Sequence, residues 1–252
     1  MQHFYVWKLN KWKRWSVVVL FAFFTATFVW FERDGSFSVF SGEEPTAIAK
    51  GNANLPDIAL TFNISWGEEK VFDILEKLKE EETQATFFLS GEWAERHPDI
   101  VERINDGDHE IGMLGYRYKS YMDQEPEEVR QDLIKAKEAF EKMGLENTKL
   151  LRPPSGHFNK EIIEMAKQMD FEVVHWNINT HDWKNPGTEK IVDTVMKETS
   201  NGDIILMHAS DSAKQTADAL EIILPGLKTK EFQFVTMSEL IEQAHSEAEL
   251  VE

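Results

Sequence analysis

From Asp57 onward the chain alternates short apolar runs with longer stretches of helical period. Ile58-Ala-Leu-Thr-Phe62 is nearly all apolar and breaks off into Asn63, Ile64, Ser65 and Trp66 before Gly67, which predicts a strand buried on both faces of a parallel sheet. Asn63 and Ile64 then fall at its carboxyl end, where α/β folds gather binding and catalytic groups. Further strands are predicted over 85–89, 149–151, 171–178, 203–207 and 232–235, with a stub at 109–111. Helical spacing predicts helices over 68–80, 98–105, 126–143, 159–169, from 188, 212–223 and 237–244; Pro98 and Pro126 suit first turns, and Asn159 a cap. About seven strand–helix units without a repeated sequence predict an α/β fold, a distorted or incomplete parallel (β/α) barrel. A doubly wound open sheet is the alternative, and no glycine-rich phosphate loop supports it.

The first 56 residues follow another pattern. Lys8, Lys11, Lys13 and Arg14 precede an uncharged apolar run from Trp15 to Phe31, long enough at 1.5 Å per residue to reach the lower limit for a bilayer. Trp12, Trp15 and Trp30 suit its interfaces, and the basic flank predicts a cytoplasmic amino terminus. The expected organisation is a cytoplasmic segment 1–14, a transmembrane anchor 15–31, a linker 32–56, a globular domain 57–244 outside the cytoplasm and an acidic tail 245–252. A cleaved signal peptide is the competing reading: Ala47-Ile48-Ala49 has the small-residue pattern, but lies far beyond the apolar run.

Composition narrows the function classes. A chain of 252 residues that is 42% hydrophobic can bury a sizeable core. A formal charge of −18 disfavours nucleic acid as a partner. The absence of cysteine excludes disulfides and thiolate metal sites. Asn63, Arg152, the Asp182-Trp183 pair and His208 each follow a predicted strand at its carboxyl end, so a barrel brings them to one mouth. Singly, each has a bland reading as turn chemistry or a satisfied polar residue; jointly they mark a site.

In order and spacing, Thr61-Phe-Asn-Ile64, Asp108-His-Glu-Ile-Gly112 with Gly115-Tyr-Arg-Tyr118, Leu151-Arg-Pro-Pro154 with Gly156, Asp182-Trp-Lys-Asn-Pro-Gly187 and Leu206-Met-His208 resemble the motifs of the polysaccharide deacetylase (NodB homology, carbohydrate esterase family 4-like) family. The resemblance spans Asp57 to about Ala244. The Thr-Phe-x-Ile-Ser-Trp-Gly form is most similar to its sporulation-associated PdaB branch.

The resemblance implies metal-assisted removal of acetyl groups from N-acetylated sugars of peptidoglycan. In that family an aspartate base is followed by a second aspartate that binds zinc or another divalent ion with two histidines. Here the base position is Asn63, and the three ligand positions are Ile64, Leu114 and Tyr118. A hydrocarbon offers no lone pair and a carboxamide takes no proton at neutral pH, so the usual metal site and base are expected to be absent. Arg152, Asp182 and His208 match the base-orienting arginine and the aspartate-supported acid. Trp183 is expected to line the sugar groove, and Ser155 to offer a backbone N–H to an oxyanion. Two functions follow: a membrane-anchored glycan-binding or structural protein with little or no deacetylase activity, or an N-deacetylase of unconventional chemistry. A displaced metal site drawn from Asp108, His109, His157, His175 and His181 is the minority alternative, since their spacing fits no ligand pattern.

Overall fold

The computed structural model describes residues 46–250, with side chains through residue 244. The anchor and basic segment expected before that lie outside the described residues, as do the first part of the linker and the last two residues of the tail. Among the described residues no helix is long and apolar enough to cross a membrane.

The chain order is β1 (Asp57–Ile64), α1 (Lys70–Glu80), β2 (Thr86–Leu89), α2 (Gly91–Arg96), α3 (Pro98–Asp106), β3 (Glu110–Met113), α4 (Pro126–Lys142) and β4 (Leu150–Leu151). It continues with α5 (Lys160–Gln168), β5 (Glu172–Val173), β6 (Ile178–Asn179), α6 (Thr188–Glu198), β7 (Ile204–His208), α7 (Thr216–Thr229), β8 (Gln233–Val235) and α8 (Met237–Leu250). All named pairings are parallel, and the strands lie in the order β5-β4-β3-β2-β1-β7-β6. Taken cyclically this runs 1 to 7 without a reversal, the winding of a barrel left open between β5 and β6. The doubly wound alternative needs a reversal at a switch point and is not what forms. β8 pairs with the first residues of β1, on the edge that β2 uses further along.

Residues just before β1 bridge that opening. Ile48 bonds to Val173 and His175 on the β5 side, while Gly51 bonds to Gly202 and Lys50 pairs with Asp203 on the β7 side. Part of the stretch expected as linker thus belongs to the sheet.

Strand parity separates two cores. Ile58, Leu60, Phe62 and Ile64 join Phe87, Leu89, Met113 and Met207 in the large cluster, with Val71, Ile74 and Leu78 of α1 and Leu220, Ile223, Leu224 and Leu227 of α7. The alternate residues form an inner cluster: Ala59, Phe88, Leu114, Leu150, Val174 and Ile204, closed by Met237, Leu240 and Ile241 of α8. The polar groups of the mouth stand above that inner layer, so the barrel interior is packed rather than hollow.

Two predicted elements differ. The strand expected over 171–178 is two short strands at opposite ends of the sheet, because the chain leaves the β5 edge at His175 and Asn177 bonds across to Ile204 N (2.7 Å) and Asp203 (2.6 Å). The helix expected over 212–223 starts at Thr216, since Asn185 holds the preceding loop through Ser212 O (2.8 Å) and Lys214 N (2.9 Å). It also runs on through Pro225, carried by the buried Leu224 and Leu227. The expected caps form as read: Asn159 accepts from Ile162 N at 3.0 Å, and Pro126 sits in the first turn of α4.

Asp211, in the loop after β7, caps α1 from a distance. Its carboxylate accepts from Glu68 N (3.1 Å), Glu69 N (2.9 Å) and Lys70 N (2.9 Å). Gly67 permits this turn: its φ is +84°, and a Cβ there would lie 2.4 Å from Asp211 Cγ. Partial burial alone would raise the Asp211 carboxyl, but the three N–H groups outweigh that and hold it below the usual range. Asp211→Ala is expected to lower stability by about 1–2 kcal/mol near neutral pH, the scale of a lost helix cap. A depressed carboxyl stabilises above its unfolded-state value and ceases to do so as pH falls through the folded value. The stability difference between variant and wild type, measured by urea unfolding, should therefore shrink below about pH 4.

Candidate functional site

The carboxyl ends of β1 and β7 are in register, with Asn63 opposite His208. Their side chains lie on the same face of adjacent parallel strands. His208 Nδ1 is 2.8 Å from Asp182 Oδ1, and His208 N donates to Asp182 Oδ2 at 2.7 Å. Asp182 is fully buried and also accepts from Thr216 Oγ1 (2.7 Å) and Trp183 N (3.0 Å). A carboxylate only accepts, so Nδ1 carries the proton of this pair and Nε2 is left to the mouth.

Arg152 follows β4 and is the largest fully buried side chain among the described residues. It donates to Thr61 Oγ1 (3.0 Å), Asn63 Oδ1 (3.0 Å) and His175 O (3.1 Å), and lies 4.0 Å from the Phe88 ring centroid. Burial pushes the guanidinium down to about 9, partly offset by the Tyr118 phenol. It remains charged at neutral pH.

The three positions where a metal would need donors do not supply them. Ile64 and Leu114 have no exposed surface: Ile64 is packed in the helix-facing core and Leu114 against the inner layer. Tyr118 is 41% exposed and offers a phenol. Hydrocarbon at two positions and a neutral phenol at the third cannot compensate the dehydration of a divalent ion. The arrangement does not fit a metal.

The minority set of histidines is dispersed. Asp108 and His109 precede β3, at the opposite end of the strands from the mouth; burial holds His109 down to about 4, with Asp108 acting against it. The His175 ring stacks on Trp176 with centroids 3.9 Å apart, and its carbonyl serves Arg152. His157 and His181 are exposed. Among the described residues no three His, Asp or Glu side chains gather as a metal site.

The remaining expected residues lie on the loops of the mouth. Ser155 is exposed with φ +60° in the turn after β4. Trp183 is 49% exposed in the turn after β6. Sequence reasoning passed over three contributors. Trp66, 60% exposed just past β1, is one of them, and its signal in the sequence is a large aromatic beside a glycine after a strand. Thr216, the second anchor of Asp182, and Asp132 gave no local signal, because each acts across the fold. Asp132 accepts from Tyr116 N (2.8 Å), Arg117 N (3.0 Å) and Tyr121 Oη (3.1 Å), fixing the loop that carries Tyr118. Gly115 lets that loop turn: its φ is +79°, and a Cβ would fall 2.1 Å from the Tyr121 hydroxyl.

Comparison with known proteins places this geometry. Residues 50–174 match the polysaccharide deacetylase family model. A peptidoglycan-N-acetylglucosamine deacetylase from Bacillus cereus is 35% identical over 211 residues, covering 82% of this chain and 77% of that protein. The chain belongs to the polysaccharide deacetylase family. Its fold is the curled, incomplete parallel barrel of that family: the crystal structure of a family 4 carbohydrate esterase pseudoenzyme from Bacillus anthracis superposes with a TM-score of 0.74 at 30% identity, covering 79% of this chain and 70% of that one. A mutant of that pseudoenzyme with restored enzymatic activity gives a TM-score of 0.75 over 79% of this chain and 72% of that one, also at 30% identity.

Proposed function

We propose that this family member binds an N-acetylated glycan of peptidoglycan at the barrel mouth without turning it over. Tethered by the apolar segment at residues 15–31, it would do so at the outer face of a membrane, in the sporulation-associated PdaB branch. One observation carries the loss of turnover: the ligand positions hold Ile64 and Leu114, both sealed in hydrocarbon. Asn63 compounds it, since a carboxamide cannot act as general base, a role worth about 100- to 10,000-fold in rate. Binding is supported by what surrounds them. Trp66, Tyr118 and Trp183 are exposed aromatics on the loops after β1, β3 and β6, and aromatic faces suit the apolar face of a pyranose. A relative in Bacillus cereus acts on peptidoglycan N-acetylglucosamine, and a pseudoenzyme within the family has a similar fold.

The second reading is an active deacetylase of unconventional chemistry, favoured by the intact Asp182–His208 hydrogen bond. Metal analysis of residues 46–252, together with acetate release and pull-down on peptidoglycan and chitooligosaccharide, separates the two. The expected outcome is retention on the glycan, no stoichiometric metal and no acetate. Stoichiometric metal with acetate release that His208→Ala abolishes would establish the second reading instead.

A further inference from the structure

Arg152 is a buried cation without a counter-charge. Its three acceptors are a hydroxyl, a carboxamide oxygen and a backbone carbonyl. Its Nε is buried with no acceptor, and among the described residues no carboxylate pairs with it.

A guanidinium only donates, which settles the orientation of Asn63. The Oδ1 atom must face Arg152, so the Nδ2 group points the other way. No acceptor among the described residues takes Nδ2, and it is not one of the side-chain nitrogens sealed from solvent. The neighbour across the register is His208, whose Nδ1 is held by Asp182 and whose Nε2 is free for the mouth. Where a deacetylase needs an acceptor to take a proton, this pocket presents an amide donor backed by an uncompensated positive charge.

We propose that the mouth is a carboxylate-binding subsite, in which Asn63 Nδ2 donates to one carboxylate oxygen and the Arg152 charge lies behind it. The ligand class is a small carboxylate or a sugar that carries one, as an N-acetylated muramic-type sugar does. The chain as a whole carries a formal charge of −18, so attraction of an anion here is local to the pocket. Arg152 does not touch the ligand: it acts through Asn63, whose amide it orients and polarises. The inference rests on the mouth being a binding site rather than a catalyst.

Calorimetric titration of the folded chain with acetate, acetamide, N-acetylmuramic acid and N-acetylglucosamine tests it. Acetate is expected to bind at least about tenfold more tightly than acetamide, the scale of a charge-assisted hydrogen bond. Asn63→Asp removes the donor, pairs with Arg152 and repels the anion. It is expected to abolish acetate binding while melting no lower than wild type, a combination that a structural defect would not give. Tighter binding of the muramic sugar than of N-acetylglucosamine assigns the carboxylate to the glycan; acetate binding without that preference assigns a free acid. Equal affinity for acetate and acetamide, or undiminished acetate binding in Asn63→Asp, would overturn the subsite. Glycan retention without any carboxylate preference refutes this inference alone, and acetate binding lost in Asn63→Asp without glycan retention refutes only the glycan reading.

Discussion

The variant carrying Asn63→Asp, Ile64→Asp, Leu114→His and Tyr118→His is expected to take up one divalent ion and to release acetate from N-acetylated glycan at least about 100-fold faster than wild type. The four changes supply the groups the mouth lacks: a carboxylate to accept the proton of water, and three lone-pair donors for a metal. Everything else that the chemistry calls on is already placed. Arg152 lies 3.0 Å from the side-chain oxygen at position 63, and His208 is oriented by Asp182 at 2.8 Å. Asn63→Asp alone should release no acetate, because a base without an activated nucleophile has nothing to deprotonate efficiently.

The same variant carries a stability signature independent of turnover. Ile64 has no exposed surface and belongs to the large helix-facing core, so an aspartate there costs several kcal/mol while it is unpaired. A metal at a hundredfold over its Kd contributes about 2.7 kcal/mol. For a domain of this size that raises the melting temperature by about 5–10 °C. Wild type should show no such dependence on added zinc. A zinc-dependent rise in wild type, or metal uptake by the variant with no acetate released, would refute the view that these four positions alone separate this chain from catalysis.

The fold was legible because the strands are apolar runs closed by polar residues, and the helices carry their buried faces at regular spacing. Asn63, Arg152, Asp182 and His208 were found for the same reason: strand ends are visible in sequence, and a barrel brings strand ends together. What escaped was long-range. Nothing local to His175-Trp-Asn177 announces that the chain must leave one sheet edge for the other, since the cause is the Asn177 bond to Ile204 N, 27 residues later in the sequence. Residues Ile48 to Gly51 read as linker because their glycine and the asparagines that follow are turn-formers, yet the open edge of the sheet gives them partners. The orientation of the Asn63 amide is the sharpest case. Sequence gives a carboxamide in place of a carboxylate; only the position of Arg152 decides which end of it faces the mouth.

Asp182→Ala is expected to destabilise the protein by about 3–5 kcal/mol, a loss of roughly 10 °C in melting temperature, whether or not any catalysis takes place. The carboxylate has no exposed surface and accepts four bonds, from His208 Nδ1, His208 N, Trp183 N and Thr216 Oγ1. These come from the end of β7, the turn after β6 and the start of α7, so one side chain joins three elements that share no backbone ladder at that point. Truncation strands several donors in a dry place, each costing about 1–3 kcal/mol unless water enters. Asp182→Asn is the sharper probe. Each carboxylate oxygen accepts from a backbone N–H, so either orientation of the amide sets its NH₂ against one, and a loss of about 2 kcal/mol follows although the shape is unchanged. His208→Ala removes only the imidazole and should cost less than either. If Asp182→Asn melts as wild type does, the aspartate is no structural anchor, and its presence beside His208 would then argue for chemistry. If the losses fall in the order Asp182→Ala, Asp182→Asn, His208→Ala, from largest to smallest, the pair is accounted for by what it holds together, and an intact Asp–His bond carries no weight as evidence of turnover.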